Sequence, residues 1–154
     1  MKGETLIEVL VALGIIAIVV TALTSVVITS LGNASFGKYQ ILASQYAQQG
    51  IEIVRGIRDN DYVTFKNKPS GTYCLDQNST TLNSTCPATT PNVDNFLRTV
   101  TITQSAPACG PSGNIASVEV SVAWQDSKCP LATPFCHKSL LTTCLSAVNP
   151  VPTL

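Results

Sequence analysis

From Val9 to Leu31 the chain runs for about 23 residues without a charged side chain, and Glu8 sits directly at the edge of that run. At the usual helical rise the run is roughly 34 Å long, against a hydrocarbon core of roughly 30 Å, so it reads as a membrane-spanning helix. A carboxylate at the margin of such a segment is unfavourable in lipid unless another group neutralises it. The many Val and Ile residues are tolerable there, because backbone hydrogen bonds meet no competing water. Gly14, Thr21, Thr24 and Ser25 are small or hydroxylated. They permit close approach of another helix and back-bonding to carbonyls. An ordinary single-pass anchor and a helix that packs against copies of itself both fit this pattern.

Beyond Gly32 the composition changes to Thr, Ser, Asn, Gln and Pro with scattered apolar residues, as in a β-rich, loop-rich ectodomain. Net charge is zero and charged residues make up only 12% of the chain, so no basic patch suits strong binding of a phosphate backbone, and DNA or surface ligands are possible partners that the sequence does not indicate. The six cysteines, Cys74, Cys86, Cys109, Cys129, Cys136 and Cys144, all lie on the C-terminal side of the apolar run. An even count on one side of a membrane segment argues for an oxidising compartment and disulfides. Lys2 is the only basic residue before the span and Lys38 the first after it. Charge bias therefore agrees with an N-in, C-out orientation.

Met1-Lys2-Gly3 is too short for a secretory signal peptide, whose small-residue cleavage site follows its apolar stretch. Here Gly3 precedes that stretch, so a cut after it would retain the helix. The residues alone leave two readings open, a cleaved leader and an uncut signal anchor.

Helical spacing continues past Leu31. Tyr39, Leu42, Ala43, Tyr46, Ala47, Gly50, Ile53, Val54 and Ile57 recur at three- and four-residue intervals among polar neighbours. The spacing predicts one helix from Thr5 to about Asn60, on the order of 80 Å long. Gly32, Gly37, Gly50 and Gly56 each weaken it by about 1 kcal/mol, and a bend or local melting is expected around Gly32-Asn33 and Gly37. Arg55 and Arg58 suit the negative end of the helix dipole, and Asp59-Asn60-Asp61 ends the helix.

The remainder predicts strands. Thr72–Leu75 follows the turn signal Pro69-Ser70-Gly71, and Gln77–Asn92 reads as a loop. Phe96–Gln104 alternates, with Phe96, Arg98, Val100 and Ile102 on one face. Ala116–Gln125 alternates with Val118, Val120, Val122 and Trp124 together, a phase that makes Trp124 core rather than a ligand platform. Lys138–Ser146 is the last strand, and Pro150 and Pro152 mark a frayed end. The fold class is α+β. One mainly antiparallel sheet of about four strands buries a face on the outer half of the long helix, which satisfies both amphipathic elements.

If the third and fourth strands pair, Cys144 approaches the loop that holds Cys109. Cys129 and Cys136 then close the intervening loop, and Cys74 and Cys86 close the Ser/Thr-rich one, among the many pairings that six cysteines allow. Each such loop is worth a few kcal/mol, which a small sheet needs. His137 beside Cys136, with Cys129 and Cys144 near in sequence, lacks the spacing of a zinc finger or ribbon, and the compartment favours disulfides, so no metal is expected. Asn33, Asn78 and Asn83 begin glycosylation sequons of a kind that arises by chance in a chain rich in Asn, Ser and Thr. Catalytic Ser–His or Cys–His signatures, a glycine-rich phosphate loop and paired carboxylates are all lacking. The chain therefore reads as a non-enzyme without a cofactor.

The segment Gly3-Glu4-Thr5-Leu6-Ile7-Glu8-Val9-Leu10-Val11-Ala12-Leu13 resembles the class III signal sequence of type IV pilins and type II secretion pseudopilins. The resemblance implies cleavage between Gly3 and Glu4 by a prepilin peptidase, methylation of the new amine, and pairing of Glu8 with the amine of a neighbouring subunit. Gly14 would serve assembly with it. The sequence departs from the pattern in having Glu4 where Phe is usual, and in lacking the proline that many major pilins carry in the first helix. The implied organisation is a leader at 1–3, an apolar filament-core helix at 4–31, its amphipathic continuation at 32–60, and a disulfide-rich β head at 61–154. The implied partners are copies of the chain and the pilus assembly machinery. The implied location is the inner membrane before assembly and the cell exterior after it. A minor pilin or pseudopilin that primes a filament is the alternative within the family. A membrane-anchored binding domain that never polymerises is the alternative outside it.

Overall fold

A computed structural model describes residues 4–87, 89–110 and 115–146. The leader Met1–Gly3, residues 111–114 of the loop that holds Cys109, and the tail with Pro150 and Pro152 lie outside the described residues.

Helix α1 covers Glu4–Asn60. The melting expected around Gly32-Asn33 and Gly37 is not seen, and these residues are helical. A glycine removes about 1 kcal/mol of helix preference but none of the backbone hydrogen bonds. The chain divides into two compact units, Met1–Lys38 and Tyr39–Leu154. The first carries the apolar part of α1. The second carries residues 39–60 of α1 and all that follows.

Within the second unit, the acidic stop at the end of α1 is also a start. Asp61 caps a short helix, α2 (Tyr62–Lys66), accepting hydrogen bonds from the Thr64 amide at 2.9 Å and the Thr64 hydroxyl at 2.6 Å. These bonds, the hydroxyl's first, hold the Asp61 carboxyl below the usual carboxylate range. The cap delivers Phe65 into the core.

Four strands follow, β1 (Gly71–Cys74), β2 (Phe96–Thr103), β3 (Ala116–Trp124) and β4 (His137–Leu145). They form one antiparallel sheet in sequential order, with Val100 opposite Val120 and Phe96 opposite Trp124. The two-residue alternation appears as burial. Phe96, Arg98, Val100 and Ile102 face inward from β2, and Val118, Val120, Val122 and Trp124 from β3. Ala43, Ala47, Ile51 and Val54 of α1 complete this core. Ile51 is buried although it falls outside the expected stripe, because the sheet covers a wider arc of the helix. A Cβ at Gly50 would lie 2.9 Å from Val120 Cγ1 and 3.4 Å from Arg98 Cδ, so helix and sheet approach at a distance that only glycine allows.

Three disulfides tie the loops down: Cys74–Cys86, Cys109–Cys144 and Cys129–Cys136, with Cα separations of 5.2, 5.6 and 5.4 Å. The second follows from register, since Ser117 faces Cys144 and the last strand therefore ends beside the turn at Pro107–Cys109.

Candidate functional site

The first unit presents an apolar surface. From Leu6 to Leu31 the Leu, Ile and Val side chains are 49–71% exposed, with nothing among the described residues to cover them. Burying each such side chain is worth about 1.5–3 kcal/mol, so the stretch is stable only in lipid or against other helices. Among the described residues, this helix alone is long and apolar enough to cross a membrane. Glu8 lies on it, exposed, between Ile7 and Val9. Gly14 is a gap in the surface, where an added Cβ would meet nothing within 4 Å. The hydroxyls turn inward to their own backbone. Thr21 donates to Ala17 O at 3.0 Å and Ile18 O at 2.9 Å, Thr24 bonds Val20 O at 3.1 Å, and Ser25 bonds Ala22 O at 2.8 Å. These bonds hide polar atoms from an apolar surrounding and leave small, smooth contact positions. Glu8, Gly14 and the hydroxyls thus share one helix. Gly3 is outside the described residues, and Glu4 is the first residue of α1.

The second unit is held by a residue that periodicity placed correctly and chemistry did not explain. Arg98 is on the apolar face of β2 and fully buried. Its Nε donates to Leu75 O at 3.0 Å and Nη2 to Asp76 O at 3.0 Å. Nη1 donates to Gln49 Oε1 at 3.0 Å and Tyr46 O at 3.3 Å. One guanidinium therefore joins the helix, the sheet and the Cys74–Cys86 loop. Burial lowers its pKa from the ordinary guanidinium value, opposed by the nearby Asp76. Asn92 bonds the Arg98 backbone in both directions, at 2.7 and 2.9 Å, and so pins the far end of that loop. The Tyr46 hydroxyl donates to Asp94 Oδ2, which raises the Tyr46 pKa. Its ring meets Phe96 edge-on at 5.3 Å. A sequence signal for Arg98 existed, a cation in phase with Phe96, Val100 and Ile102, but its acceptors are mostly backbone carbonyls that leave no trace in residue identity.

The family model for the prokaryotic N-terminal methylation motif matches residues 1–24. No curated protein and no solved structure matches the chain. A leader of this kind implies processing by a prepilin peptidase and transfer to an assembly machinery, and with the apolar helix it is consistent with membrane insertion before assembly. The chain thus carries, over residues 1–24, the prokaryotic N-terminal methylation motif, the class III signal of type IV pilins and pseudopilins, which supports a pilin-like or pseudopilin protein.

Proposed function

We propose that this chain is a structural subunit of a type IV pilus and that its activity is self-assembly, without catalysis or cofactor. It waits in the inner membrane as a single-pass protein, is cut after Gly3, and is drawn by its N-terminal helix into a filament outside the cell. Its partners there are further copies of itself. The observation that carries this reading is the uncovered apolar surface of residues 6–31 with a carboxylate at its edge. Lipid satisfies the apolar part but not Glu8. A bundle of identical helices satisfies both, because the amine freed at Glu4 of one copy can neutralise Glu8 of the next. Each charge alone in such a bundle is strongly unfavourable, and the pair is tolerable. Gly14 gives neighbouring helices room to approach. The disulfides keep the head folded in shear.

Gly3→Val tests this in cells that express the peptidase. A branched side chain at the scissile position is expected to leave the chain uncut in the membrane and to empty the sheared surface fraction. An anchored binding domain requires neither the cut nor the fraction, so unchanged distribution of the variant counts against the proposal.

A further inference from the structure

The connection between β3 and β4 brings together four side chains that the proposed function does not use. Asp126 Oδ2 lies 3.0 Å from His137 Nε2, and the Asp126 amide is 3.5 Å from Cys129 Sγ. Cys129 and Cys136 are joined as a disulfide, with Cα atoms 5.4 Å apart. One ligand atom from each of Asp126, Cys129, Cys136 and His137 lies within 4.8 Å of all the others.

We propose that these residues form a zinc site that opens when the Cys129–Cys136 disulfide is reduced. Around tetrahedral zinc, ligand atoms at roughly 2.0–2.3 Å from the ion stand about 3.3–3.8 Å from one another. The four atoms already approach that spacing, and separating the two sulfurs brings them closer to it. Two thiolates, an imidazole and a carboxylate are a donor set that zinc prefers among common divalent cations.

The surroundings hold the two non-sulfur ligands in place. Asp126 Oδ1 accepts a bond from the Lys128 amide at 2.8 Å, which leaves Oδ2 facing the cluster. The His137 ring stacks on Trp124 at 5.5 Å, and the two residues are paired across the strands. Supports of this kind orient metal ligands. The sequence hides the site. Its spacing is that of no zinc finger, and two of the ligands are adjacent in the chain.

The chemistry balances with a dithiol as reductant. It gives two electrons and two protons to the Cys129–Cys136 bond and leaves as its own cyclic disulfide. Zinc then displaces the two thiol protons to solvent as both Zn–S bonds form. Of the three disulfides this one spans the shortest sequence separation, 7 residues against 12 and 35, and so constrains the unfolded chain least. Cys136 is also exposed to an attacking thiolate. The chain could thus hold zinc in a reducing setting and a disulfide in an oxidising one.

The test uses the full chain in detergent micelles. It is treated with limiting phosphine, freed of the phosphine without oxygen, given zinc chloride, and alkylated with iodoacetamide, with each cysteine followed by peptide mass spectrometry. Zinc is expected to slow alkylation of Cys129 and Cys136 together by about tenfold or more and to leave the other four unaffected. His137→Gln and Asp126→Asn, which keep the size of each side chain, are each expected to raise the zinc concentration that gives half of that protection by at least the roughly 10- to 100-fold in affinity that loss of an outer-shell partner costs. No protection, protection spread over all six cysteines, or full protection in both variants overturns the proposal.

Discussion

Glu8→Ala is expected to leave the protein in the membrane at its normal level and to reduce it in sheared filaments by roughly 100-fold or more. Removing a carboxylate from the edge of a membrane helix makes insertion easier, so export is not impaired. Assembly is a different matter. In the proposed filament the amine freed at Glu4 would enter a bundle of apolar helices, and without Glu8 it would be buried unpaired. Loss of one partner from a buried pair costs about 3–5 kcal/mol, which is roughly two to four factors of ten in an equilibrium. Glu8→Gln should behave like the alanine variant, because the amide keeps the shape and loses the charge. Quantifying chain in membrane and sheared fractions checks both. Filaments from either variant in normal amount would sink the charge-pairing account of Glu8 and leave apolar packing alone as the cause of assembly.

The second large effect falls on the head. Arg98→Met should lower its stability by about 3–5 kcal/mol, equivalent to a Tm about 12–20 °C lower. Methionine fills much of the space, but it leaves the buried Leu75 O and the half-buried Asp76 O and Tyr46 O without the donor they share. Arg98→Lys retains the charge but cannot reach acceptors in three directions, so it is expected to rescue little. Thermal unfolding of the oxidised full chain in detergent gives the shifts. A Tm for Arg98→Met within a few degrees of the parent would mean that the guanidinium is incidental and the loop is held by Cys74–Cys86 alone.

The fold was legible where a period repeats and obscure where a single contact decides. Strands β2 and β3 announce themselves through Phe96, Val100, Ile102 and Val118, Val120, Val122, since a two-residue period allows one buried face. Helix α1 shows itself first as an unbroken apolar run and then as a stripe. Helix α2 was missed because five residues hold little more than one turn, and its only signal is Asp61 three residues before Thr64. The width of the helix face, which takes in Ile51, depends on how the sheet curves over it. Of the candidate assembly residues, Glu8 stood out because a charge beside a membrane segment is rare. Gly14 stood out only by size. Asp126 gave no warning at all, since its neighbourhood arises from the pairing of β3 with β4.

The central claim is that this chain is cut after Gly3 and recovered as a filament subunit. Intact and peptide mass spectrometry of sheared cell-surface material tests it most directly. The account predicts an abundant species beginning at Glu4, six hydrogens lighter than the reduced chain because three disulfides are formed, and heavier by one methyl group if its amine is modified. A chain confined to membranes and still beginning at Met1 would contradict it, and the protein would then be an anchored domain.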